Sequence, residues 1–432
     1  MKRIGTRLVL AQITGFGLFT ASGFAQQVQH PDPSTYRWLE PVHRPADVAR
    51  MRAAIAQQMR QNATQAASQA NSSIPLWQYS VVAGQDGNTY QGTMVGRSPY
   101  YNGHRSTTIQ TYLVPVIFTF PDGTVFDPTA QDPCISNYTV LNLVQNSPVY
   151  VATDYTFTDS NGNNPVDVGN TQYDDAYQRA NFWTYVAPHA NVVTPYHTLL
   201  GLTTLSAVNV TVPELDGYTD QGSCPQGVMD YNWWDNYVTS TLLPSLASQG
   251  VGPNTLPIFI FDSVAMYLNG DTTQCCALGD HGGYLNGSNL LQTYVSADFD
   301  TTQDWPPDIS ILSMELAKWT DDPSVTNPTP SWAWSGGGQV EGQTCSSLLE
   351  VGDPLSDPPY IFQVGMPNGL IYDPEEIAFM SWFYDQVPSI GAGGWYSDQG
   401  TLTSDAGSVC QSGGSSKSRK AGPLTIRTKR TL

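Results

Sequence analysis

The segment Ser313-Met314-Glu315-Leu316-Ala317-Lys318-Trp319-Thr320-Asp321-Asp322-Pro323 places opposite charges, Glu315 and Lys318, three residues apart. Further carboxylates follow in Leu349-Glu350-Val351-Gly352-Asp353-Pro354. Positions i and i+3 share a face of a helix, so the Lys318 ammonium can pair with Glu315, and with Glu350 or Asp353 across the fold. Lys318 is the only lysine between residues 26 and 416. The bland alternative is a solvated lysine on a helix of ordinary composition.

Other groups could do chemistry but read more simply. His281 lies in the Gly-rich stretch Gly279-Asp280-His281-Gly282-Gly283 and could be a ligand or an acid/base, although a loop-capping hydrogen bond is the commoner use. His189 and His197 are eight residues apart, which is not helical ligand spacing. Asp159-Ser160-Asn161-Gly162-Asn163 starts like a calcium loop, but Asn164 and Asn170 stand where that loop needs Gly and Glu, so a polar turn is expected. Trp233 and Trp234, in an aromatic and amide-rich run, could stack on sugar rings or pack in a core. There is no G-x-S-x-G, P-loop or Cys/His dyad.

The elements that must carry these groups are partly legible. Asp308 can cap a site helix over about 308–320, stopped by Asp321-Asp322-Pro323. Asp373-Pro374-Glu375-Glu376 reads as the start of a C-terminal helix over about 374–386, with Ile377, Met380, Phe383 and Tyr384 on its apolar face. Pro45 opens an amphipathic helix to about residue 60, with Val48, Met51, Ile55 and Met59 at helical spacing. Thr111–Phe120, the turn Pro121-Asp122-Gly123 and Thr124–Phe126 predict a hairpin. Val192–Val212 holds strand-like runs, and Ile258-Phe259-Ile260-Phe261 reads as a buried central strand.

With 38 Gly, 31 Pro and only 13% charged residues in 432, the chain is neither a coiled coil nor a helical bundle. Its 40% hydrophobic content argues against wholesale disorder. All 37 acids but only nine of the 18 basic residues lie between residues 26 and 416, which makes duplex nucleic acid a poor partner. Residues 1–25 read as a secretory signal, and no segment offers the roughly 18 uninterrupted apolar residues of a transmembrane helix. Export implies disulfides among the six cysteines, with adjacent Cys275 and Cys276 each expected to reach a distant partner. Residues 26–75 form an arm and the amphipathic helix. Residues 76–410 form one large α+β domain, sheet-rich over 76–300 and helical over 301–400. Residues 411–432 are expected to be a disordered basic tail.

Three blocks together resemble secreted zincin-like proteins, and distantly the plant phosphate-induced (exordium-like) proteins. They are the Ser313–Pro323 segment with Glu350-Val351-Gly352-Asp353, the run Thr171–Trp183, and Cys275–Tyr284. The family helix reads S-H-E-[LI]-x-E, followed downstream by E-[IV]-G-D. The resemblance covers roughly residues 110–390 and implies a zincin-like fold with a mixed or antiparallel sheet. It also implies zinc held by the helix, with Glu315 as general base on a metal-bound water. Met314 and Lys318 occupy the two helix ligand positions, where the resemblance implies His and Glu. A thioether is a poor zinc ligand, and an ammonium has no lone pair to offer. Glu315, Asp322, Glu350 and Asp353 remain as carboxylates.

The resulting expectation is a secreted or periplasmic metallopeptidase-like protein that has lost zinc-dependent hydrolysis. It would need no cofactor and would bind a protein or glycan of the cell envelope or extracellular space. Two alternatives stay open: an active metallopeptidase using zinc through His281, Glu315, Glu350 or Asp353, and a carbohydrate-binding or matrix protein using Trp233 or Trp234.

Overall fold

Successive side chains of a strand point to opposite faces, and the strand Ser106–Thr119 uses this to feed two apolar cores. Ile109 and Leu113 enter one core, while Val114, Val116 and Phe118 enter the other. The neighbouring strand Leu256–Ile260 does the same, with Leu256, Ile258 and Ile260 on one face and Phe259 on the other. Covered on both faces, it reads as an uninterrupted apolar run rather than an alternating one.

The computed structural model describes residues 39, 45–64, 73–100, 106–135, 138–191, 195–288, 290–302, 308–333, 345–356, 360–404 and 406. The signal segment 1–25, most of the arm before residue 45 and the basic tail 411–432 lie outside them. The fold is α+β, around a mixed seven-stranded sheet. Leu256–Ile260 is central and runs parallel to Ser106–Thr119 on one side and to Leu291–Ala297 on the other. The edge strand Gly279–Leu285 pairs antiparallel with Leu291–Ala297. His197–Thr204 and Val208–Thr211 line the far side of Ser106–Thr119, and Val125–Phe126 closes the expected hairpin.

On one face of this sheet lie the inner helix Tyr173–Asn181 and the site helix Ser310–Asp321, both buried along their whole length. The helix Tyr231–Tyr237 packs on the other face, where Asp230 caps it by accepting from Trp233 N–H at 2.8 Å. The expected N-terminal helix spans Pro45–Thr64, and buried Met51 and Ile55 pack with Leu291. Among the described residues no helix is long and apolar enough to cross a membrane.

The segment 374–386 departs from expectation: its only helix is Met380–Phe383. Tertiary partners claim the backbone N–H groups that a helix would need. Glu376 N–H donates to Tyr360 O at 2.7 Å, Ile377 N–H to Asp398 Oδ1 at 3.1 Å, Ala378 N–H to Val351 O at 3.0 Å and Phe379 N–H to Tyr396 O at 2.7 Å. A local capping signal is worth about 1 kcal/mol and does not outweigh four such bonds made together with burial. The described residues of 301–400 are therefore mostly extended and looped apart from the site helix and the single turn Met380–Phe383. Asp308 is not that helix's cap either: it has φ 45°, and its carboxylate accepts from the N–H groups of Ile309 and Asp373.

The cysteine expectation is also corrected. Cys275 and Cys276 are joined to each other, and Cys134 is joined to Cys224. Cys345 is disulfide-bonded as well. The adjacent pair lies buried beside Tyr267 in a separate four-stranded sheet, where no other described cysteine is left to reach it.

Candidate functional site

The site helix is held by its own buried ends. Trp319 Nε1 donates to Thr293 Oγ1 at 3.0 Å, which fixes the helix on the sheet. Thr320 Oγ1 donates to Asp174 Oδ2 at 2.9 Å, which fixes it to the inner helix. Asp321 accepts from Tyr177 at 2.7 Å, Gln178 at 2.5 Å and Asn181 at 3.1 Å. Burial nevertheless pushes Asp321 up to about 7. Asp322 accepts the backbone N–H groups of Thr326 at 2.8 Å and Asn327 at 2.7 Å, so it organises the turn that ends the helix. Its carboxylate is thereby committed to structure, and burial raises it to about 6.

The helix's other face carries the charged cluster. Lys318 Nζ lies 2.6 Å from Asp353 Oδ1, 3.4 Å from Glu315 Oε1 and 3.9 Å from Glu350 Oε2. All four side chains are buried, with Lys318 only 1% exposed. Glu315 Oε2 meets His281 Nδ1 at 2.9 Å, and His281 Nε2 faces the Asp322 carbonyl at 3.2 Å. His281 therefore sits on the edge strand rather than in a loop, and both its ring nitrogens are engaged.

Two glycines make this packing possible. A Cβ on Gly352 would lie 2.2 Å from Met314 Cγ and 3.2 Å from Lys318 Cε. A Cβ on Gly279 would lie 2.8 Å from Glu315 Cγ and 2.6 Å from Ile311 Cγ2. Sequence reasoning passed over both, although each stands within two residues of a group it had singled out, Glu350 and His281. Met314, fully buried, fills the space beside Gly352 with its apolar chain.

The electrostatics divide the carboxylates. Burial alone would raise Glu315, but the Lys318 charge and the His281 hydrogen bond outweigh it and hold Glu315 below its ordinary value. Glu350 goes the other way: burial comes first, Lys318 offsets part of it, and Asp353 adds repulsion, so Glu350 is raised well above the usual range. Its Oε1 is buried and has no hydrogen-bond partner among the described residues. The cluster thus contains an ammonium gripped by carboxylates, one of which tends to keep its proton.

Zinc does not fit the residues present. A thioether and an ammonium hold the two helix positions, and among the described residues no three His, Cys, Asp or Glu side chains are arranged to hold a metal ion. The chain matches no family model, no curated protein and no solved structure.

The remaining candidates lie elsewhere. Trp234 is 1% exposed, meets Phe118, Phe259 and Phe261 edge to face, and donates from Nε1 to Ser296 Oγ at 3.0 Å. Half-buried Trp233 stacks on Tyr237 at 5.5 Å. His197 Nδ1 meets Asp175 Oδ2 at 2.6 Å. Asp159 accepts the N–H groups of Asn161 and Asn163, both at 2.9 Å, as a polar turn should.

Proposed function

We propose that this is a secreted, metallopeptidase-like binding protein in which the Lys318 ammonium takes the place of the catalytic cation. The observation that carries this reading is the burial of Lys318 Nζ among Glu315, Glu350 and Asp353. A lone buried ammonium is unfavourable, whereas one surrounded by carboxylates satisfies its donors and holds helix and downstream loop together. Glu315, which a zincin would use as general base, is occupied on both oxygens, by His281 and by Lys318. A carboxylate so engaged has no free oxygen to take a proton from water. The mixed sheet with an antiparallel edge strand lying on the site helix is compatible with a zincin-like scaffold. The Cys134–Cys224 bridge is compatible with export. Its partner would be a protein or glycan of the cell envelope or extracellular space.

The test is metal content by mass spectrometry, on the purified protein and on the double variant M314H/K318E. The parent should carry no stoichiometric zinc, and the double variant should take up about one per chain. Stoichiometric zinc in the parent with chelator-sensitive hydrolysis would overturn the proposal in favour of an active metallopeptidase.

A further inference from the structure

The run Thr171–Trp183 contributes a second charged group that the Lys318 cluster does not use. Arg179 is 7% exposed and lies on the inner helix one turn after Asp175. Among the described residues its guanidinium makes no hydrogen bond, and Nε is buried without a partner. Arginine is almost never buried in that condition, because each unsatisfied donor near a charge costs free energy.

The charges acting on Arg179 are Asp175 and Asp167, and neither meets its donors. Asp175 is committed elsewhere: Oδ1 accepts from Thr198 N–H at 2.6 Å, and Oδ2 meets Thr171 Oγ1 at 2.5 Å and His197 Nδ1 at 2.6 Å. Asp167 is exposed and accepts from Gly169 N–H at 2.9 Å. Gly169, on the strand Val166–Thr171, has φ +98° and lies against the guanidinium, since a Cβ there would stand 3.3 Å from Nη1. The guanidinium therefore lies against bare backbone, with Nε buried and no hydrogen-bond partner among the described residues.

We propose that Arg179 is an anchoring residue for a ligand carboxylate, received beside Gly169 between the inner helix and the strand Val166–Thr171. A planar guanidinium offers two parallel N–H groups that match a carboxylate. The flanking Asp167 and Asp175 favour a single negative charge over the two of a phosphate. The carboxylate can belong to a small organic acid or to an acidic side chain of a partner.

The test follows the Arg179 Nε–H resonance, assigned by its loss in R179K, during titration with acetate against chloride at matched ionic strength. A saturable shift with acetate, weaker with inorganic phosphate, is expected. D167N, at an exposed position, should tighten acetate binding about two- to fivefold, by removing a competing charge. A glutamate-containing dipeptide blocked at both ends then separates the sources. Tighter binding than acetate points to a partner side chain, and weaker binding points to a small acid. No acetate-specific shift in either protein, or tighter binding of phosphate, would overturn the proposal.

Discussion

Replacing Lys318 by Met removes the cation and keeps most of the side-chain volume. At an effective dielectric of about 20, the contacts at 2.6 Å to Asp353 and 3.4 Å to Glu315 correspond to roughly 6 and 5 kcal/mol of gross attraction. These gross figures overstate the loss, because an abandoned carboxylate can take up a proton. For a group with an ordinary value of 4.5, such as Glu315, forced neutrality at pH 7 costs about 3 kcal/mol, and at pH 5 less than about 1 kcal/mol. K318M should therefore lose about 3–5 kcal/mol at pH 7, the range found on breaking buried ion pairs, and recover most of it at pH 5. The sign follows from Glu315. In the variant, buried and without the ammonium, its value is raised instead, so the cost of protonating it falls between pH 7 and pH 5, while the parent's depressed Glu315 keeps its contribution across that window, which lies above the ordinary value. Urea unfolding of both proteins at the two pH values measures the difference. A loss below about 1 kcal/mol at pH 7, or an equal loss at both pH values, would refute the buried pairing.

Three further variants probe the surroundings. G352A should lose about 1–3 kcal/mol, because its new methyl meets Met314 Cγ at 2.2 Å, and G352A/M314A should recover part of that in the same denaturation assay. D321N tests a raised group. The folded value of about 7 stands above the ordinary 3.8, so the contribution is complete below 3.8 and is lost as pH rises towards 7. Between pH 4.5 and 6.5 the parent's stability should fall more steeply than that of D321N, by about 1.4 kcal/mol per pH unit, and parallel curves would refute it.

The parts of the fold legible in the sequence were those whose hydrogen bonds are local or whose burial repeats with a simple period. The hairpin at Asp122-Gly123 satisfies itself, with Thr124 N–H donating to Asp122 Oδ1 at 2.9 Å and Gly123 at φ 89°. Ile258-Phe259-Ile260 announces a strand covered on both faces, and it is one. The segment after Asp373 failed because its capping signal is real chemistry put to another use. Glu376 accepts from Ser397 at 2.5 Å and Thr401 at 2.7 Å instead of facing a helix terminus. Cys275 and Cys276 were misread because adjacency was taken as a bar to pairing. The bare guanidinium of Arg179 left no trace in composition or spacing, since it depends on where a distant strand places Gly169.

The Lys318 cluster was more readable because charge must balance wherever it is buried. In the pattern the site helix resembles, the second helix position carries one negative charge and the metal two positive, a sum of +1. Lys318 alone supplies +1, and exchanging His for Met at 314 changes nothing when the imidazole is neutral. Buried carboxylates at 315, 350 and 353 can therefore persist unaltered around either arrangement. On the proposed reading the two positions form one coherent pair: a thioether packs beside the ammonium stem without competing for the carboxylates, as Met314 does against Gly352. The same balance fixes the behaviour of M314H/K318E. Without metal it places a fourth carboxylate among three and should be less stable than K318M. With zinc the sum returns to +1, and the lost stability should return with it as a rise in unfolding midpoint that saturates at one equivalent.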